Sequence, residues 1–298
     1  KDPNDKQKVK NVRNKEQLKR LTSQLQAISN QKLLISIDQE GGIVQRLKKE
    51  DGFVDTPKAS EIALNGENFA RKSYSAMAKD LRYSGINVDF APVVDLAINK
   101  DNKVIVTRGR SFGESSKEVI KYSSIFVEEL KKQNIISVLK HFPGHGSSLA
   151  DSHLGFVDIT DTWNQKELEP YRYFIANNSV DMIMIAHVFN QNLDKNYPAT
   201  LSYNINTNLL RNKLGFEGVI VSDDLQMSAI SKHYDLKQTL TLAINSGVNM
   251  LLFANQLSKP VSLKEIVDTV YKQVLNNQIS IEQIIKSNQR IDRMMSKY

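Results

Sequence analysis

Apolar residues along this chain fall into two alternating rhythms. From Asn14 to Ser29, Leu18, Leu21, Leu25 and Ile28 recur at helical spacing and predict an amphipathic helix. Leu33-Leu34-Ile35-Ser36-Ile37 comes next, a short apolar run of strand length ending in Asp38-Gln39-Glu40-Gly41-Gly42. The same alternation then repeats. A helix is predicted over Gly66–Tyr83, closed by Gly85, then a strand over Asn87–Asp95 with Pro92 near its end. A helix over Ser116–Gln133 precedes the apolar run Ile135–Leu139, and one over Glu167–Asn178 precedes Met182–His187. Asn206–Leu214 leads into Gly218–Asp224, Leu236–Ser246 leads into Met250–Phe253, and two further helical segments close the chain.

Apolar strands alternating with amphipathic helices predict parallel strands joined by crossover helices, either a doubly wound sheet or a (β/α)8 barrel. Four strands end in chemistry-bearing residues: Asp38, Lys140-His141, His187 and Asp223. A doubly wound sheet gathers its site at one switch point. Polar residues on the tips of many strands favour the barrel, whose rim collects contributions from all round. The pattern supplies six strands, so the opening strand is expected upstream of Lys1 and a short final strand after Ala254. An incomplete, open sheet is the alternative. No linker-like composition break interrupts residues 1–298, which are expected to form one barrel domain.

Composition narrows the function. Lys and Arg number 40 against 33 Asp and Glu, a formal charge of +7. The basic residues are scattered in short pairs such as Lys48-Lys49 and Lys131-Lys132, without a zinc-finger or aromatic-basic motif, so a nucleic-acid partner is not expected. There are no cysteines, which excludes disulfides and thiolate metal sites. No apolar run approaches the roughly 18 residues of a membrane span. The polar start KDPNDKQK leaves room upstream for a signal peptide. An envelope location is therefore expected, with the cytoplasm as the alternative, and the protein is expected to be a monomer.

The densest chemistry lies in Lys140–His153, KHFPGHGSSLADSH, where Pro143, Gly144 and Gly146 break regular structure after a buried strand. Asp151 and His153 stand two apart, close enough for the carboxylate to orient the imidazole as a general acid/base. Ser222-Asp223-Asp224 ends another apolar strand. One of these carboxylates should emerge at the rim, while Asp224 or Ser222 caps the next helix. Asp223 serves as a nucleophile only if ionised, and Arg110 and Lys140 are the available cations. A carboxylate nucleophile with a separate proton donor is the machinery of a retaining glycosidase. A metal hydrolase built from His141, His145, Asp151, His153 and His187 is the rival reading, although no H-E-x-x-H helix or H-x-H pair accompanies them. A non-catalytic sugar-binding relative is the third.

With these residues in place, the chain resembles the glycoside hydrolase family 3 catalytic barrel, specifically single-domain bacterial β-N-acetylglucosaminidases of peptidoglycan turnover. The resemblance runs from about Val12 to Phe253. It is carried by Asp38–Gly42, Phe90–Leu96, Arg110–Gly113, Lys140–Gly146, Asp151–His153, Ala186–Val188, Leu209–Arg211 and Gly218–Leu225. The resemblance implies a (β/α)8 barrel with Asp223 as nucleophile and His153, paired with Asp151, as acid/base. It also implies that Asp38, Arg46, Arg110, Lys140 and His141 hold hydroxyls of the terminal sugar, and that no metal or organic cofactor is used. Two positions depart from the family pattern: Ile43, where many recycling members carry Arg, and Gln226, where a small residue is common. The first bears on the aglycone, so an anhydro-muropeptide substrate is not automatic.

Overall fold

The computed structural model describes residues 12–149, 157–255 and 259–298. Five parallel strands lie side by side in chain order: Ser36–Ile37, Val88–Asp89, Ile136–Phe142, Met182–Ile185 and Val219–Ser222. A sixth segment joins the last of them through a parallel bridge between Val221 and Met250. Each of the six strands read from the pattern is therefore present. Strand order that tracks sequence order is the barrel arrangement rather than the doubly wound one, where the order reverses. The result is a curled parallel sheet with helices on its outer face.

Register explains the sorting of side chains. Val138 pairs with Met182, Met182 with Val219, and Met184 with Val221. These residues form one buried cluster with Val88 and Ile136 on the inner face of the curl. Their neighbours Leu139, Ile183, Ile185 and Ile220 turn outward into the large core beneath the helices. Strands buried on both faces need apolar residues at every position, which is why they read as unbroken runs.

Helix ends obey their capping residues. The Asn14 side chain accepts from Gln17 N–H to start Lys15–Ala27, Ser115 accepts from Glu118 N–H to start Ser116–Lys131, and Asp235 with Gln238 forms a capping box for Leu236–Ser246. The helix predicted over Glu167–Asn178 is split into a 3-10 turn, Gln165–Leu168, and an α-helix, Glu169–Ala176, with Pro170 in its first turn. The segment predicted as Asn206–Leu214 is a π-helix over Asn204–Lys213.

The expectation of a further strand after Ala254 is not met among the described residues, where the chain passes from Pro260 and Val261 into the helix Leu263–Leu275. The opening strand would precede the described residues. The last helix, Ile281–Met295, turns Ile291, Met294 and Met295 onto the inner-face cluster, and Tyr298 reaches Asp181 through its hydroxyl at 3.0 Å. This helix covers the apolar inner face. Met294→Ala is expected to cost about 2–5 kcal/mol of stability, the range for truncating a buried methionine. Urea unfolding checks it, and a loss below about 1 kcal/mol would mean that the helix is not part of the core.

Candidate active site

The strand ends meet in a chain of buried charges. After Ile37 the backbone turns into a hairpin, Gln39–Gly41 against Val44–Gln45. Gly41 has φ +98, and a Cβ there would lie 2.4 Å from the Pro57 carbonyl, so a side chain is excluded twice over. Gln39 fixes the hairpin from within. Its side-chain oxygen accepts from Arg46 N–H at 2.9 Å and Leu47 N–H at 3.0 Å, while its amide donates to the Leu47 carbonyl at 3.1 Å.

Held in this way, Glu40 points inward and bridges two cations. Arg110 grips it with two bonds, Nε to Oε2 at 2.7 Å and Nη2 to Oε1 at 2.8 Å, and Lys140 Nζ meets Oε1 at 2.6 Å. Lys140 also donates to Asp38 Oδ1 at 3.0 Å, and Arg46 donates to Asp38 Oδ2 at 3.1 Å. Burial alone would push the Glu40 carboxyl up, but Arg110 and Lys140 together hold it far below the usual range. Asp38 is lowered in the same way, with Lys140 and Arg46 outweighing burial. Burial would lower the pKa values of Lys140 and Arg110, yet Glu40 and Asp38 raise them.

A second layer fixes His141. Its Nδ1 lies 2.7 Å from Asp95 Oδ2, and its Nε2 faces Arg110 Nη2 at 3.5 Å. A guanidinium can only donate, so Nε2 is the acceptor and Nδ1–H donates to Asp95. Asp95 Oδ1 accepts from His145 N–H at 2.8 Å and His141 N–H at 3.2 Å, which pins the turn after the strand. Asn102 grips the same turn through its amide, which donates to the His145 carbonyl at 2.8 Å and Ser148 Oγ at 3.0 Å. A Cβ on Gly146 would fall 1.7 Å from the Leu96 carbonyl, so this packing is open to glycine only.

Asp223 and Asp224 divide their work. Asp224 Oδ1 accepts from Gln226 N–H and Ala254 N–H, both at 3.1 Å, and Ser222 Oγ accepts from Leu252 N–H at 2.9 Å. Those two side chains bind the turn to the neighbouring strand. Asp223 is half-buried, and its carboxylate accepts the N–H of Asp224 at 2.7 Å. Burial pushes its carboxyl up, but the His187 and His141 imidazoles, the Asp224 N–H and the Lys140 ammonium bring it below the ordinary value. His187 supports the turn from below, with Nε2 donating to the Asp224 carbonyl at 2.9 Å and Nδ1 lying 2.6 Å from Thr200 Oγ1.

Asp38, Arg46, Arg110, Lys140 and His141 thus form one continuous set of contacts, with Asp223 beside it. Asp151 and His153 lie outside the described residues. Sequence reasoning passed over Glu40 and Asp95 as site residues. Asp95 ends an apolar run, the signal that singled out Asp38 and Asp223, whereas Glu40 lies in the hairpin past the strand end. Among the described residues no three His, Asp or Glu side chains converge on a point that could hold a metal ion. His145 and His187 each commit a ring nitrogen to protein partners instead. The arrangement offers donors and acceptors for a polyhydroxylated ligand next to an ionised carboxylate, the requirement of glycosyl transfer at an anomeric carbon.

A parallel curled sheet with such a rim defines a barrel of the glycoside hydrolase kind. The model of the glycosyl hydrolase family 3 N terminal domain matches residues 6–294, and the chain belongs to that family. It is 34% identical to beta-hexosaminidase A of Pseudoalteromonas piscicida, over 97% of this chain and 52% of that one. It is 35% identical to beta-hexosaminidase of Photobacterium profundum, over 83% of this chain and 73% of that one. A solved family 3 beta-N-acetylglucosaminidase from Paenibacillus sp. str. FPU-7 superposes with a TM-score of 0.87 at 33% identity, covering 95% of this chain and 54% of that chain. The chain therefore spans about half the length of the Pseudoalteromonas and Paenibacillus proteins. CbsA from Thermotoga neapolitana, solved with zinc bound, is 26% identical with a TM-score of 0.84, over 94% of this chain and 59% of that one.

The depressed carboxyls make stability depend on acid. For Glu40 and Asp38 the folded pKa lies below the unfolded one, so their contribution is present above pH about 4.5 and fades as the pH falls. Glu40→Gln is expected to cost about 3–5 kcal/mol at pH 7, because two buried cations lose their shared partner. The gap to wild type should narrow steadily from about pH 4.5 to about pH 3 in urea titrations. A gap that stays constant over that range would show that the charge on Glu40 contributes nothing.

Proposed function

We propose that the chain is a retaining β-N-acetylglucosaminidase that removes terminal N-acetylglucosamine from peptidoglycan fragments or related glycosides. The observation that carries this reading is Asp223, an ionised carboxylate left free at a strand tip while Asp224 and Ser222 hold the turn. The names of the Pseudoalteromonas, Photobacterium and Paenibacillus relatives support the sugar.

Asp38, Arg46, Arg110, Lys140 and His141 bind the hydroxyls of the terminal sugar. Asp38 accepts, the cations donate, and Glu40 and Asp95 hold the donors in place. Asp223 attacks the anomeric carbon as the glycosidic oxygen leaves with the proton of His153, giving a glycosyl-enzyme. His153, oriented by Asp151, then takes a proton from water, whose oxygen displaces Asp223 from the sugar. A neutral imidazole between the two steps replaces the second carboxylic acid used by most glycosidases.

Asp223→Ala is expected to reduce turnover of an aryl N-acetyl-β-glucosaminide by on the order of 10⁴–10⁶-fold, as loss of a nucleophile does, with little change in stability. Asp224→Ala should instead lose about 1.5–3 kcal/mol of stability, the worth of charged hydrogen bonds. If Asp224→Ala were the inactive, stable variant, the nucleophile would be the wrong carboxylate. Sugar binding by the wild-type protein with no turnover would mean a non-catalytic relative.

Activity should survive exhaustive dialysis against a chelator, since each proton and electron pair above is carried by side chains. Loss on chelation with recovery on adding zinc would transfer the case to a metal hydrolase.

A further inference from the structure

Beneath the turn that follows Lys140 and His141 sits a carboxyl with no role in the chemistry above. Glu167, in the 3-10 turn Gln165–Leu168, is 1% exposed. Its Oε2 accepts from Gly146 N–H at 2.9 Å. It lies so close to the turn that a Cβ on Gly144 would fall 2.6 Å from its own Cβ. Ser147 Oγ, Tyr171 Oη and Glu167 Oε1 are all buried in this region without a hydrogen-bond partner of ordinary geometry. We propose that Glu167 is a positioning residue, a clamp whose grip on Gly146 sets the turn that follows Lys140 and His141. The proposal rests on the glycosidase reading for its kinetic consequence, though not for the clamp itself.

Burial, together with the Asp95 carboxylate, pushes the Glu167 carboxyl up to about 7, against the Ser147 hydroxyl and the Gly146 and Asn164 N–H groups that favour its ionised form. The groups facing it are Asp95 across the turn, Ser147 and Gly146 on the turn, Asn164 on its own loop and Tyr171 one helical turn on. On ionisation the carboxylate becomes a stronger acceptor for Gly146 N–H, and the clamp tightens. Folding stability runs the opposite way. Because the folded pKa is raised, wild type is most favoured below pH about 4.5, loses ground as the pH rises to about 7, and is level above that.

Glu167→Gln keeps an acceptor of the same size and removes the titration. The ratio of wild-type to Glu167→Gln kcat/KM on an aryl N-acetyl-β-glucosaminide is expected to rise from near one below about pH 5.5 to roughly fivefold above about pH 8.5, the difference between a charged and a neutral hydrogen bond. The wild-type Tm should fall relative to the variant across about pH 4.5–7, opposite in sense to the activity ratio. A ratio constant from about pH 5 to about pH 9 would overturn the proposal and leave Glu167 a merely structural residue. Should the wild-type protein show no turnover, the function reading fails alone. Hydrogen-exchange protection of the Gly146 amide then decides the clamp. It is expected to rise through neutral pH in wild type but not in Glu167→Gln, and equal profiles would overturn it.

Discussion

The structure of the rim depends on one carboxylate. Glu40 is buried between Arg110 and Lys140 and satisfies both through three contacts of 2.6–2.8 Å. Neither cation could be buried alone, since an unpaired charge in such surroundings costs several kcal/mol. Because Glu40 anchors them, Lys140 has a second donor direction left for Asp38, and Arg110 presents an edge to His141. The hairpin, its glycines and the internal bonds of Gln39 all serve to bring Glu40 inward. Rigid placement of donors before a ligand arrives is what such a site requires, because no binding energy is then lost to ordering them.

The same division of labour separates Asp223 from Asp224. Adjacent residues at a strand end face opposite ways, so one carboxylate meets the rim and the other the backbone of the neighbouring strand. Asp224 satisfies two N–H groups that the end of the sheet would otherwise orphan. Among the described residues, the Asp223 side chain is thereby left with a single local bond, to the Asp224 N–H. Its ionised form is favoured by His187, His141 and Lys140, which reach it from two other strand ends. The pocket's electrostatics thus couple strands that are far apart in sequence but lie side by side in the sheet, Ile136–Phe142, Met182–Ile185 and Val219–Ser222.

Much of this was legible in the amino-acid order. Buried parallel strands leave an unmistakable trace as apolar runs, and residues just past such runs, Asp38, Lys140, His141 and Asp223, are the ones at the rim. Glu40 escaped because it lies beyond the strand end, where a hairpin rather than periodicity decides its direction. Glu167 left no trace at all, since its neighbours Lys166 and Glu169 make it look like one more charge at a helix start. Its burial comes from the turn at Gly144 and Gly146, the latter 21 residues away, which no local pattern encodes. The final strand expected after Ala254 is not found among the described residues. The apolar inner face is covered by the helix Ile281–Met295, with Ile291, Met294 and Met295 turned toward it. Such a helix looks the same in sequence whether it packs outside a barrel or against its interior.

Net charge misleads for the same reason that local pattern does. The chain carries +7, yet around the site the cations Lys140, Arg110 and Arg46 are answered by Asp38, Glu40 and Asp95, with Asp223 ionised beside them. No uncompensated positive field arises from these groups to draw an anion. What is left is a set of donors and acceptors whose cations are all paired, with one carboxylate in excess, and whose remaining capacity is directional. A neutral sugar, with hydroxyls that both donate and accept, matches such a surface better than a phosphate or a polyanion, which would have to displace the carboxylates from their partners. The basic residues outside are scattered along the chain, so their field is screened within about 8 Å in physiological salt and does not reach this balance.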